Sequence, residues 1–232
     1  MTEAEPEQPR HRRPGWAPIA EVLIAVLAVA LVQALVLKPF QVPSQSMEQT
    51  LDIGDRILVN RTDPTIHRYD IVVFSHGSTW AEQTLPPADN PLVRGARWIG
   101  DLTGIGPSTK EYTVKRVIGL PGDHVSCCSV DGKVIVNGTA VTEPYIDENL
   151  PFTPGVQDCS TSPRSTRCFP QISVPEGMLL VLGDHRSQSA DSVVSCRGAA
   201  TAPGCARYVP EDRVVGKVVF RFWPLSRFGS IG

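Results

Sequence analysis

Excess charge of one sign is what this chain most plainly lacks. Its 232 residues carry 22 Lys+Arg against 24 Asp+Glu, a formal net charge of -2. That balance gives no global attraction to a polyanion, so no nucleic acid partner is expected. No Cys-x-x-Cys occurs, which leaves zinc-ribbon and thioredoxin-like readings without support. No Gly-x-Ser-x-Gly occurs either, and Gln49 stands three residues after Ser46, where a Ser-x-x-Lys pattern needs lysine. No internal repeat is apparent. Helical periodicity is scarce after residue 39, where Gly and Pro punctuate short β-branched runs. That punctuation argues for a mostly β domain.

The apolar content, 41% overall, is unevenly placed. Residues 19–37 read IAEVLIAVLAVALVQALVL, with one charge, Glu21, and one amide, Gln33. At ~1.5 Å per residue such a run barely spans a hydrocarbon core of ~30 Å. Arg10, Arg12 and Arg13 precede it, and only Lys38 follows closely. Positive charge favours the cytoplasmic side, which predicts a cytosolic N-terminus and an extracytoplasmic remainder. Three parts are expected: a polar tail over 1–16, a single transmembrane helix over 17–38, and an outer β-rich domain over 39–232. A cleavable signal peptide is the rival, because Ala28-Val29-Ala30 and Val32-Gln33-Ala34 resemble small-residue cleavage sites. The apolar run continues past both, which favours an uncleaved anchor in the cell membrane.

Strand-like runs recur in the outer part at 56–60, 70–74, 112–118, 133–137, 178–182 and 213–223. Residues 75–110 look like a long insertion, with a hairpin as the expectation, and residues 147–172 read as loop. Trp80, Trp98 and Ile99 fit either a core or an apolar rim at a membrane interface. All six cysteines, Cys127, Cys128, Cys159, Cys168, Cys196 and Cys205, lie beyond the apolar run. An even count there fits disulfides in an oxidising compartment. Close spacing favours Cys159–Cys168 and Cys196–Cys205.

Two stretches carry chemistry. Ser44-Gln45-Ser46-Met47 begins just past the apolar run, and Lys115 sits in Tyr112-Thr113-Val114-Lys115-Arg116-Val117-Ile118-Gly119. A serine hydroxyl is a poor nucleophile until a base removes its proton. Lysine can be that base only when neutral, so its pKa must fall from ~10.4, which burial achieves. An apolar strand is a plausible place for that desolvation. Taken alone, a strand lysine is more often a solvent-facing residue and a Ser-x-Ser more often a loop.

The wider set of segments changes that balance. Residues 43–51, Pro-Ser-Gln-Ser-Met-Glu-Gln-Thr-Leu, resemble the nucleophile box of type I bacterial signal peptidases. Residues 54–59 and 69–74 resemble the strands that follow it. Residues 115–123, Lys-Arg-Val-Ile-Gly-Leu-Pro-Gly-Asp, resemble the lysine box, and residues 183–192 the last box. Residues 223–229 are similar to the family's C-terminal end. The boxes stand in family order behind an anchor of family topology. Residues 124–178 fall between the last two as a β/loop insertion.

The resemblance implies a membrane-bound serine endopeptidase that removes signal peptides from exported preproteins with a Ser-Lys dyad. In that reading Ser46 attacks and Lys115 is the base. Ser46 N–H and the Ser44 hydroxyl form the oxyanion hole. Ser189 orients the lysine, Asp184 pairs with Arg116, Asp191 supports the same corner, and Met47 lines the site. The substrate binds extended, with small residues one and three positions before the cut. Signal peptides, membrane lipid and the secretion translocon are the implied partners. No cofactor or metal is implied.

Three departures stand out against the family pattern: Gln49 where proline is usual, Val193 where arginine is usual, and His185 where asparagine is common. The second leaves Asp191 without its expected partner. The first two keep a catalytically impaired, preprotein-binding member as the alternative. A Ser-His-Asp triad through Asp184 and His185 is the weaker chemical rival, since adjacent residues rarely orient one another in that way.

Overall fold

A computed structural model of the chain describes residues 16–76, 80, 90–103, 112–198 and 204–231. Residues 1–15 of the expected tail, residues 77–79, 81–89 and 104–111 of the expected insertion, and the side chain of Ile99 lie outside them.

Helix α1 runs over Ala17–Leu35 with Pro18 in its first turn, where a missing N–H leaves no bond unmade. The Val36 N–H closes on Val32 O at 2.8 Å. The helix cannot continue because Pro39 forces the residue before it into extended backbone. Strand β1, Leu37–Gln41, therefore starts inside the span expected to be helical to residue 38. Among the described residues no helix is long and apolar enough to cross a membrane. The 19 residues of α1 rise only ~28 Å, against a core of ~30 Å.

The remaining elements are mostly strands. In chain order they are β2 (Arg56–Asn60), β3 (Ile71–Ser75), α2 (Pro91–Thr103), β4 (Tyr112–Gly119), β5 (His124–Cys127), β6 (Val134–Val136) and β7 (Thr139–Ala140). Then come β8 (Phe169–Ser173), β9 (Met178–Leu182), β10 (Val209–Pro210), β11 (Val214–Trp223) and β12 (Gly229–Ser230). An eight-stranded antiparallel sheet has the order β1-β2-β11-β3-β4-β9-β10, with β12 paired to β11. A four-stranded sheet has the order β7-β6-β5-β8.

Two further expectations on secondary structure fail. Residues 91–103 form helix α2 where a hairpin was expected. The missed signal is Asn90-Pro91: the Asn90 side-chain oxygen accepts from the Leu92 N–H at 2.8 Å, and proline suits the first helical position. Part of the 147–172 loop is also a strand, because Phe169 and Ile172 of β8 are buried against β5.

The apolar core falls into three groups. One joins Met47 and Leu51 to inward residues of β1, β2, β3 and β4. Another joins Val72, Phe74, Trp80 and Leu179. The third fills the small sheet and reaches Leu180, Leu182, Val193 and Cys196. Trp80 is therefore a core residue; its ring meets Phe74 edge-on and its indole N–H donates to Tyr208 O at 2.9 Å. Trp98 on α2 is exposed. Cys159–Cys168 and Cys196–Cys205 are disulfides, as the spacing suggests, and Cys127–Cys128 is a third that the spacing did not single out.

Candidate active site

The nucleophile loop is built from its turn outward. Ser44 is extended and opens a 3-10 turn over Gln45–Met47. The Leu51 N–H donates back to Met47 O at 2.6 Å. Val42 N–H and Gly54 N–H exchange bonds with Asp55 O and Val42 O, both at 2.9 Å, tying the loop to the following turn. Met47 is packed into the core cluster of β1 to β4 and so anchors the loop from below. Ser46 is left 5% exposed, with its hydroxyl 3.3 Å from that of Ser44.

Strand β4 lies inside the larger sheet between β3 and β9, and every residue from position 114 to 119 is buried. Lys115 is opposite Val72 and 3% exposed. Its Nζ lies 2.5 Å from Ser46 Oγ. Burial lowers its pKa from 10.5 to about 8, against an opposing pull from Asp191 and Asp184 and a smaller push from Arg207. A large share of the amine is thus neutral at mildly alkaline pH, which a general base requires.

Arg116, the next residue, is handled in the opposite way. Its Nε and Nη2 meet the two oxygens of Asp184 at 2.9 and 2.6 Å, and Nη1 donates to Tyr69 O at 3.0 Å. Its guanidinium also stacks 3.8 Å from the Tyr145 ring centre. Thr50 Oγ1 donates to the same Asp184 carboxylate at 2.6 Å. The fork geometry makes this a strong pair despite burial. It ties the lysine strand to both the nucleophile loop and the last box.

The last box comes close to the nucleophile through Gly183. A Cβ there would collide with Ser46 O and Ser189 Oγ, so only glycine permits the approach. The His185 N–H donates to Ser46 O at 3.2 Å. Ser189 is 7% exposed and its Oγ has no hydrogen-bond partner. Asp191 is fully buried, and Arg197 Nη2 donates to its Oδ2 at 2.8 Å. The missing arginine at Val193 is therefore replaced from four residues further on. Val193 itself is buried in the small-sheet core.

Gln49 adopts φ +67, a left-handed conformation that proline's ring forbids. Its turn is braced from outside: the Gln49 N–H donates to Asp52 Oδ1 at 3.2 Å, and Arg227 Nη2 donates to Gln49 O at 2.8 Å. Arg227 also pairs with buried Asp55 at 3.0 Å, while Arg221 donates to Thr50 O at 2.8 Å. Asp55, Arg221, Arg227, Gly183 and Arg197 thus shape the site, and no role was read for them from sequence. The ring of His185 faces Glu48, at 2.9 Å from Nδ1, and Glu148, at 3.5 Å from Nε2. Asp184 is committed to Arg116 and Thr50, so a Ser-His-Asp relay has no geometry here. Two residue groups could hold a metal among the described residues: Cys128, Cys159 and Cys168, whose sulfurs are in disulfides, and Glu48, Asp147 and His185.

On this β scaffold a serine hydroxyl is held against a desolvated amine. The family described as signal peptidase, peptidase S26, matches residues 16–223, and the chain belongs to that family. The chain is 32% identical to the probable signal peptidase I of Mycobacterium leprae, over 97% of this chain and 82% of that protein. It is 32% identical to signal peptidase I of Mycobacterium tuberculosis, over 90% of this chain and 74% of that protein. Signal peptidase IB of Staphylococcus aureus is 30% identical over 90% of each.

Proposed function

We propose that this serine endopeptidase removes N-terminal signal peptides from exported preproteins, with Ser46 and Lys115 as its catalytic dyad. The observation that carries the reading is the 2.5 Å approach of Lys115 Nζ to Ser46 Oγ inside a buried strand. Ser46 Oγ attacks the scissile carbonyl while Lys115 takes its proton. The C–N bond breaks as Lys115 returns that proton to the departing amine. Water then enters, with Lys115 again as base, and the acyl ester is hydrolysed. The Ser46 N–H and the Ser44 hydroxyl would face the developing oxyanion; one such donor lowers the barrier by about 3–4 kcal/mol. Ser189 orients the lysine amine. Asp184 with Arg116, and Asp191 with Arg197, keep β4 and the last box in register. The substrate lies extended beside the site and adds a strand to an edge of the groove.

Helix α1 supports attachment to a membrane. Ile19, Leu23, Leu27, Leu31 and Leu35 are all more than half exposed, an arrangement water disfavours and lipid accepts. With the arginines before it and Ser46 shortly after it, α1 would hold the site where signal-peptide junctions emerge, N-terminus inside and catalytic part outside. Its modest length favours a thin or locally thinned bilayer. Binding without cleavage, the second reading, has little to rest on, since the positions of Gln49 and Val193 are each supported locally.

The test is preprotein cleavage in detergent by the parent chain, Ser46→Ala and Lys115→Ala, with circular dichroism establishing that all three are folded. The parent is expected to cut at the signal junction and both variants to be inert. A folded Lys115→Ala chain that still cuts would remove lysine from the mechanism. An inert parent that holds uncut preprotein would favour the binding-only reading.

A further inference from the structure

Helix α2 has no part in the Ser46–Lys115 site, and none of its described residues belongs to the apolar core. Its sequence is nevertheless two-faced. Leu92, Ala96, Ile99 and Leu102 fall on one face of the helical repeat. Arg94, Arg97 and Asp101 fall on the opposite face, and Trp98 stands at the border between the two. Leu92 is 80% exposed, Trp98 64% and Val93 40%. Among the described positions of α2 only Gly100 is buried. So many open apolar side chains on one short helix are unfavourable in water and mark a surface that something apolar covers. The 13 residues of α2 rise only ~20 Å, too little to cross a hydrocarbon core of ~30 Å. The helix runs beside α1, whose Ile19, Leu23, Leu27, Leu31 and Leu35 are also open. Two elements rich in open apolar side chains are therefore neighbours.

We propose that α2 is an interfacial helix, lying along the bilayer surface beside α1 with lipid as the partner of its apolar face. The inference rests on the reading of α1 as the membrane attachment. A core role within this chain is excluded by the exposure of Leu92 and Trp98. A tryptophan at the border of an apolar face belongs at headgroup level, where its ring is in an apolar layer and its N–H is wet. Arg94 and Arg97 stand where cations meet anionic headgroups. A second protein would have to compete for that face with the lipid around α1. In the chain α2 lies between β3 and β4, which pair with each other, and β4 carries Lys115. The helix would thus give the larger sheet a second point of attachment. One anchor leaves the catalytic part free to tilt, and a second contact beside it sets the face that the site turns to the membrane. The benefit falls on a preprotein still held in the bilayer, not on a peptide free in water.

The experiment reconstitutes the full chain into phosphatidylcholine vesicles with and without phosphatidylglycerol, and flotation establishes incorporation. Trp98 emission is taken as the difference between each chain and its Trp98→Phe counterpart. Lipid brominated close to the headgroup should quench it more than lipid brominated near the end of the acyl chain. Acrylamide in the water should quench it weakly. Leu92→Glu should abolish the lipid quenching and raise KM for vesicle-embedded preprotein by about threefold, while kcat/KM for a short soluble peptide keeps the parent value. Arg94→Glu should weaken the quenching only where phosphatidylglycerol is present. If Leu92→Glu fails to fold, the quenching of the parent decides the matter. An incorporated parent whose Trp98 is quenched by acrylamide and not by brominated lipid would overturn the proposal, and α2 would then face water or another protein. A chain that does not float would remove the attachment by α1 and this inference with it. Failure of the Ser46–Lys115 reading shows separately, as cleavage in detergent that survives Lys115→Ala, and leaves flotation and quenching unchanged.

Discussion

The two sheets of this protein solve opposite problems. The larger one is held by apolar packing and hydrogen bonding, and into that packing it takes Lys115, Arg116, Asp184 and Asp191, all nearly or fully buried. The smaller one is built from short strands around an apolar cluster and is stapled by Cys127–Cys128 and Cys159–Cys168, which lie in or beside it. Burial of charge is destabilising unless each charge is paired. The larger sheet therefore accepts the cost of burying charge at the site, and beside the smaller sheet the buried Asp123 is paired with Arg68. Within β4 the contrast sharpens to two neighbours. Arg116 has a forked carboxylate and an aromatic ring, whereas Lys115 has a serine hydroxyl and, among the described residues, no ion pair. One charge is paired, and the other is weakened by burial.

The strongest way to break that contrast is Lys115→Met. Turnover should fall to background, while the fold should gain stability at neutral pH. The sign follows from the lowered pKa. Between about 8 and 10.5 the unfolded chain holds a proton that the folded one has lost, so stability rises with pH in that window and is lowest below pH 8. Cleavage by the parent should rise with pH through an apparent pKa of about 8. Thermal melts of both chains from pH 6 to 10 check the first, and kcat/KM over the same range the second. A variant melting below the parent at pH 7 would mean the buried amine is not a burden.

Asp184→Asn addresses the neighbour. It leaves Arg116 charged and buried with half its partner, and should cost about 3–5 kcal/mol of stability. Activity should fall with it, because the same carboxylate holds Thr50 and the last box together. Denaturant unfolding reads the first effect and single-turnover cleavage the second. If stability falls and cleavage does not, the pair belongs to the scaffold alone.

Cys159→Ser with Cys168→Ser tests the smaller sheet. Removing the bridge should lower stability by about 2–3 kcal/mol. Cleavage at 25 °C should be unchanged, since neither cysteine reaches the site. A fall in kcat would show that the two sheets are coupled more tightly than their cores suggest.

Gln49 offers the smallest effect. Gln49→Pro should destabilise by about 1–2 kcal/mol, because the ring cannot take φ +67 and the N–H to Asp52 is lost. Gln49→Gly should be close to neutral. Urea midpoints of the two variants decide it, and a stabilising proline would show that the turn has another conformation open to it.

Much of the site was legible because its residues come in short contiguous boxes. Ser44, Ser46, Lys115, Arg116, Asp184, Ser189 and Asp191 were singled out by the resemblance of those boxes to a family, and the structure brings Ser46 to Lys115 and Arg116 to Asp184. Most strands were legible too, because alternation and β-branching mark them: 56–60 and 178–182 match β2 and β9 residue for residue. Helix α2 was missed although it carries both the Asn90 cap and apolar residues at helical spacing, 92, 96, 99 and 102, because the Gly- and Pro-rich surroundings drew the reading. Strand β1 was missed because the apolar run masks where Pro39 stops the helix.

By itself the sequence determined the family, the order of its boxes, a mostly β domain and which serine and lysine to propose as the reacting pair. Those properties are local, written in neighbouring side chains. Only the tertiary structure decided that Lys115 is desolvated, that Arg197 stands in for the arginine absent at 193, that Arg227 holds the turn at Gln49, and that His185 turns towards carboxylates instead of the serine. Each depends on what a distant segment brings within hydrogen-bond reach. A pKa or an ion pair is set by distance and burial, and neither can be read from positions along a chain.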